Sequence, residues 1–82
     1  MADVVRVLYV DDEPGLLELG KLFLEKDGEL SVDTVLYASE ALDHLTKKSV
    51  DVIVSDYQMP ELDGIGFLKL VRSRFDTIPF IL

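Results

Sequence analysis

At 82 residues the chain has room for one small domain, and a chain of this size buries only ~60% of the surface that its unfolded form exposes. Hydrophobic residues make up 49% and charged residues 29%, a globular composition rather than a disordered one. Eight basic against sixteen acidic residues give a net charge of −8, which argues against direct nucleic-acid binding, because phosphate contacts need clustered Lys and Arg.

With no cysteine, disulfides, thiolate chemistry and cysteine-held metals are excluded. Met1-Ala2-Asp3 lacks the basic flank of a signal peptide. No apolar stretch approaches the ~20 residues of a membrane span, so a soluble cytoplasmic chain with no membrane partner is expected.

Val4 to Val10 is almost unbroken apolar and β-branched, the pattern of a strand covered on both faces. Asp12-Glu13-Pro14 then opens a helix with an acidic cap region and Pro in the first turn. Leu16, Leu19, Gly20 and Phe23 form its apolar stripe, widened by Leu17 and Leu24, and Asp27-Gly28 ends it. Leu30 to Leu36 alternates well enough for a second strand, at a sheet edge with one face partly wet.

Ser39 is the expected N-cap of a second helix, with Ala41, Leu42 and Leu45 inward and Lys47-Lys48 at its negative end. Asp51 to Ser55 reads as the third strand, and Asp56 to Asp63 as a loop punctuated by Pro60 and Gly64. Asp63 caps a third helix carrying Ile65, Phe67, Leu68, Val71 and Phe75. A fourth strand opens at Ile78-Pro79-Phe80-Ile81-Leu82, with Pro near its start where a missing N–H is tolerated. Strands alternating with helices mean parallel pairing with helices on both faces, a doubly wound α/β domain.

The chemistry is carried by three aspartates. Asp11 and Asp12 follow the first strand directly and Asp56 follows the third. A carboxylate directly after a buried parallel strand lies at the carboxyl edge of the sheet, where open α/β folds place their ligand sites. If the two strands are neighbours, three like charges converge, and they need a proton or a cation to coexist. A hard, oxygen-seeking ion such as Mg²⁺ suits them.

At these residues the chain resembles the receiver domain of two-component response regulators. The matching text is Leu8-Tyr9-Val10-Asp11-Asp12-Glu13-Pro14, then Asp51-Val52-Ile53-Val54-Ser55-Asp56-Tyr57-Gln58-Met59-Pro60, then Asp63-Gly64. The resemblance implies a flavodoxin-like sheet with strand order 2-1-3-4, the fifth strand and last helices of the family being absent. Residues 1–82 then form a receiver domain incomplete at its C-terminus.

It also implies that Asp56 is the phosphate acceptor in a phosphorelay. Asp12, Asp56 and the backbone carbonyl of Gln58 would coordinate Mg²⁺, with Asp11 acting mostly through water. The partner would be a histidine kinase or a histidine phosphotransfer protein. Such a domain catalyses its own loading and slow loss of phosphate and is no enzyme in the usual sense. The family's Ser or Thr after the fourth strand and its Lys after the fifth fall past Leu82.

Other residues read more plainly. His44 is expected on a solvated helix face, Glu13 in the first helical turn, and Met59 and Pro60 as shapers of the loop. The Gln58 side chain faces the phosphoryl site by resemblance. Phe23, Phe67, Phe75 and Phe80 are expected in the core, and Lys47 and Lys48 are too few for a nucleic-acid patch. An apolar strand ending at Leu82 without a covering helix predicts a homo-oligomer or strand-exchanged dimer.

Two other functions fit less well. One is an interaction scaffold that signals without phosphorylation. The other is a Mg²⁺-dependent phosphohydrolase with an Asp nucleophile, whose paired acids flank one spacer residue, whereas Asp11-Asp12 are contiguous.

Overall fold

The structure, a computed structural model, describes residues 4–58, 62–75 and 77–82. Strand β1 (Val5–Val10) is followed by α1 (Pro14–Leu24), β2 (Leu30–Val35), α2 (Ala38–Lys47), β3 (Val52–Ser55), α3 (Gly64–Arg74) and β4 (Phe80–Ile81). The four strands pair in parallel in the order β2-β1-β3-β4, as expected. This order puts β1 and β3 side by side at the centre, although 41 residues separate the end of one from the start of the other.

Strand side chains alternate between faces. Leu8, Val10 and Ile53 point to one face and are fully buried beneath Ala38, Ala41 and Leu45 of α2 and Phe67 and Val71 of α3. Phe67 meets Phe80 edge to face, ring centroids 5.4 Å apart, tying α3 to β4. Val7 and Val32 are buried on the opposite face, which α1 covers with Leu17.

Several expectations need correcting. The sheet-facing side of α1 is Leu17, Gly20 and Leu24, whereas Leu16, Leu19 and Phe23 are exposed, Phe23 by 74%. Phe23 is therefore not core. The helix is turned so that Gly20, the residue without a side chain, meets the ring of Tyr9, where a Cβ would overlap the ring edge. Ile65, at the start of α3, is likewise exposed.

Ser39 does not cap α2. The cap position is Tyr37, in extended conformation and without a side-chain cap bond, and Ser39 lies inside the helix. Glu40 instead reaches back, its carboxylate accepting from the Leu36 amide at 3.2 Å. Asp63 caps α3 as expected, accepting from the Gly66 amide at 2.7 Å. At the end of α1 the chain leaves the helix after Leu24, and Gly28 takes φ +75°, a conformation that suits glycine.

His44 is not a solvated face residue. Its side chain is 16% exposed and its Nε2 lies 3.1 Å from Oδ2 of Asp33 on β2. Val4 precedes β1, and Leu36 follows β2 rather than ending it. Asp51 stands before β3, where its carboxylate accepts from the Arg6 amide at 2.8 Å. Strand β4 is two residues long, with Pro79 just before it offering its carbonyl to the Ile53 amide. No helix among the described residues is long and apolar enough to cross a membrane.

Candidate metal centre

Parallel strands finish at the same edge of a sheet, so residues that follow β1 and β3 meet there. The register fixes which ones: Val10 is level with Ser55, and Asp11 and Asp56 come next on each strand. Backbone bonds extend the sheet into both residues. The Asp56 amide donates to the Val10 carbonyl at 2.9 Å, and the Asp11 amide to the Val35 carbonyl at 3.2 Å.

The outcome is that Asp11, Asp12 and Asp56 each offer a carboxylate oxygen, all within 4.8 Å of one another. Asp11 is buried, while Asp12 and Asp56 are partly open to solvent. None of the three makes an ion pair among the described residues.

The electrostatic cost is visible at Asp11. Burial holds its carboxyl above the usual carboxylate range, and the charges of Asp56 and Asp12 push the same way. The Glu13 amide, donating to Oδ1 of Asp11 at 3.0 Å, opposes them. Tyr9, two residues earlier on the same side of β1, is also pushed up, first by burial and then by Asp11 and Asp56. A set of oxygen donors, crowded and short of positive charge, fits a hard divalent cation.

Gln58 lies two residues past Asp56 on an exposed stretch. Met59 and Pro60, expected to shape this loop, lie outside the described residues.

Two supporting residues escaped the sequence reading. Gly64, taken as loop punctuation, is buried. Its amide donates to the Tyr57 carbonyl at 2.7 Å, and a Cβ there would lie 2.7 Å from the Asp56 carbonyl oxygen and 3.1 Å from the Tyr57 Cα, besides meeting Leu82. Helix α3 thus starts hard against the backbone that carries Asp56. Ser55 is the second: buried, it donates its hydroxyl to the Asp56 carbonyl at 3.0 Å. Asp-Gly at a helix start was the available signal for the first. Nothing in the sequence marked the second.

An open parallel sheet with acids converging between its first and third strands defines a doubly wound domain with its site at the topological switch point. The response regulator receiver domain family matches residues 7–82. The chain is 40% identical over 83 aligned residues to response regulator Rre1 of Synechocystis, covering 99% of this chain and 36% of that protein.

Among solved structures it superposes on response regulator TrrA of Thermotoga maritima, described in complex with Mg²⁺-BeF. The TM-score is 0.89 at 32% identity, covering 96% of this chain and 68% of that one. A second structure, of the histidine kinase ThkA in complex with TrrA, matches with a TM-score of 0.87 at 30% identity, covering 94% of this chain and 66% of the other. The chain belongs to the response regulator receiver domain family, a family of phospho-acceptor switches used in two-component signalling. It spans about a third of the length of the first curated relatives it matches, 36% and 34%.

Proposed function

We propose that Asp56 accepts a phosphoryl group from a histidine kinase or a histidine phosphotransfer protein. Mg²⁺ would be held by Asp12, Asp56 and the backbone carbonyl of Gln58, with Asp11 acting through ordered water. The observation that carries this reading is the convergence of three carboxylates within 4.8 Å at the β1–β3 edge. The complex of ThkA with TrrA supports the class of partner, and the Mg²⁺-BeF complex of TrrA supports the ion.

The bound ion would supply charge neutralisation for an anionic nucleophile approaching an anionic phosphoryl group. The remaining work belongs to the chain. A carboxylate oxygen of Asp56 attacks phosphorus, the P–N bond of the donor phosphohistidine breaks, and the imidazole leaves with the electron pair and takes up a proton. The product is an acyl phosphate on Asp56. The Asp56 backbone is fixed on both sides, by its amide bond to the Val10 carbonyl and by the Ser55 hydroxyl donated to its own carbonyl, with Gly64 close beside it. The added charge, about −1.5 to −2 for comparable phosphorylated side chains, is the signal.

Intact mass spectrometry after incubation with a small acyl-phosphate donor tests this. A gain of one phosphoryl group is expected with Mg²⁺, absent with a chelator and absent in Asp56→Ala. No gain from a folded chain in Mg²⁺ would favour the phosphorylation-independent scaffold. Free phosphate released continuously from simple phosphomonoesters would favour the phosphohydrolase.

A further inference from the structure

Strand β2 lies at one end of the sheet, and a strand at that position leaves alternate backbone groups unpaired. The Val5 amide bonds to Glu29 and the Asp11 amide to Val35, so the odd-numbered residues of this stretch face β1. Leu30, Val32 and Thr34 therefore direct their N–H and C=O outward. At Val32 both groups are taken by side chains of α1. The Glu25 carboxylate accepts from the Val32 amide at 2.7 Å, and the Lys21 ammonium donates to the Val32 carbonyl. Lys21 and Glu25 also pair with each other, 3.2 Å apart. One acceptor and one donor, joined by an ion pair, take the place that the backbone of a further strand would fill. The Glu25 carboxyl is held below its usual range first by the Val32 amide and then by Lys21.

We propose that the outer edge of β2 is a strand-docking surface for β2 of a second copy of this chain, held shut by the Lys21–Glu25 pair. The sequence of the strand argues for that occupant. An antiparallel pair with its twofold axis at Val32 sets Val32 opposite Val32, Leu30 opposite Thr34, and Ser31 opposite Asp33. The outward groups of Leu30, Val32 and Thr34 then exchange bonds as hydrogen-bonded pairs, and Ser31 and Asp33 fall at the closer positions, Cα atoms ~4.5 Å apart. A hydroxyl faces a carboxylate, apolar faces apolar or Thr, and no like charges meet. The interface closes on itself as a twofold dimer. It cannot form while Lys21 and Glu25 occupy Val32.

Two measurements on the whole chain decide this. In the wild type, hydrogen exchange should show the Val32 amide protected about tenfold or more over those of Leu30 and Thr34. In Lys21→Ala/Glu25→Ala that protection should vanish in dilute solution. Sedimentation should show a dimer forming at several-fold lower concentration than in the wild type, and a mixed-label sample should show an intermolecular Hα–Hα contact between Ser31 and Asp33. Should the double variant fail to fold, Lys21→Met/Glu25→Met keeps both aliphatic stems while freeing the Val32 amide and carbonyl, and is expected to show the same contact. The idea is overturned if the Val32 amide of the wild type exchanges as fast as its outward neighbours. It is equally overturned if the opened variant associates no more than the wild type, or does so without the Ser31–Asp33 contact.

Discussion

Gly20 yields its side-chain space to the ring of Tyr9: a Cβ at residue 20 would lie 2.5 Å from Cε2 and 3.4 Å from Cδ2 and Cζ. The contact brings α1 close to β1, the strand that Asp11 and Asp12 follow. Gly20→Ala would overpack this point at a cost of about 1–3 kcal/mol, while Ala in a helix interior returns about 1 kcal/mol over Gly. A net loss is expected. In a Tyr9→Val background the overlap is gone, and the same change should stabilise the chain. Urea unfolding of the four proteins reads the sign, and equal effects in both backgrounds would refute the relationship.

The crowding of Asp11, Asp12 and Asp56 makes the metal-free site a source of instability. Asp11 has a folded pKa above its unfolded value. Its penalty is present above the folded pKa and disappears as pH falls through that value toward 3.8. Asp56→Asn should therefore stabilise the metal-free protein at neutral pH, by about 1–3 kcal/mol, with a smaller gain in acid. Added Mg²⁺ should raise the melting temperature of the wild type, by the equivalent of ~2.7 kcal/mol at a hundredfold excess over Kd, and move the variant far less. Thermal melts with and without Mg²⁺ at two pH values check both signs.

Glu25 works in the opposite direction. Its folded pKa is depressed, so its bonds to Val32 and Lys21 contribute above the unfolded value of 4.5 and are lost as pH falls through the folded one. Glu25→Gln keeps an oxygen for the Val32 amide but cannot titrate. Its stability profile should be flatter than that of the wild type on the acid side of pH 4.5. Parallel profiles would mean that the carboxylate adds nothing by its charge.

Asp63 and Gly64 are adjacent yet should fail differently. Asp63→Ala removes the cap bond to the Gly66 amide and is expected to cost about 0.5–2 kcal/mol, leaving Mg²⁺ affinity unchanged. Gly64→Ala sets a methyl group 2.7 Å from the Asp56 carbonyl. It should weaken Mg²⁺ binding as well as stability, because the backbone that carries Asp56 must shift. Calorimetric titration of both variants separates the two effects.

Much of this arrangement was legible from local chemistry. The apolar runs before Asp11 and Asp56, the helical spacing of Phe67 and Val71, and Asp63 before Gly64 each announced their element without tertiary information. The three acids were readable as a candidate site because a strand end has only one kind of place in a parallel sheet.

Where reading by periodicity failed, a contact between distant segments had intervened. Helical spacing admits more than one stripe on α1, and Leu16, Leu19 and Phe23 matched it as well as Leu17 and Leu24 did. The ring of Tyr9, one strand away, chose the second set. His44 looked like a solvated helix residue until Asp33, on another element, came within 3.1 Å. Ser39 has the chemistry of a cap, but the chain enters α2 one residue before it.

The sequence alone determined the order of elements, the acidic character of the chain and the three carboxylates available for a cation. These depend on residue type and near neighbours, which the linear chain states directly. Only the tertiary structure decided that β1 and β3 lie side by side in the register that brings Asp11 to Asp56, that α1 meets Tyr9 through Gly20, and that Lys21 and Glu25 reach the edge of β2. Those depend on where a twisted parallel sheet places backbone atoms far apart in sequence, and packing selects among alternatives that local pattern leaves equal.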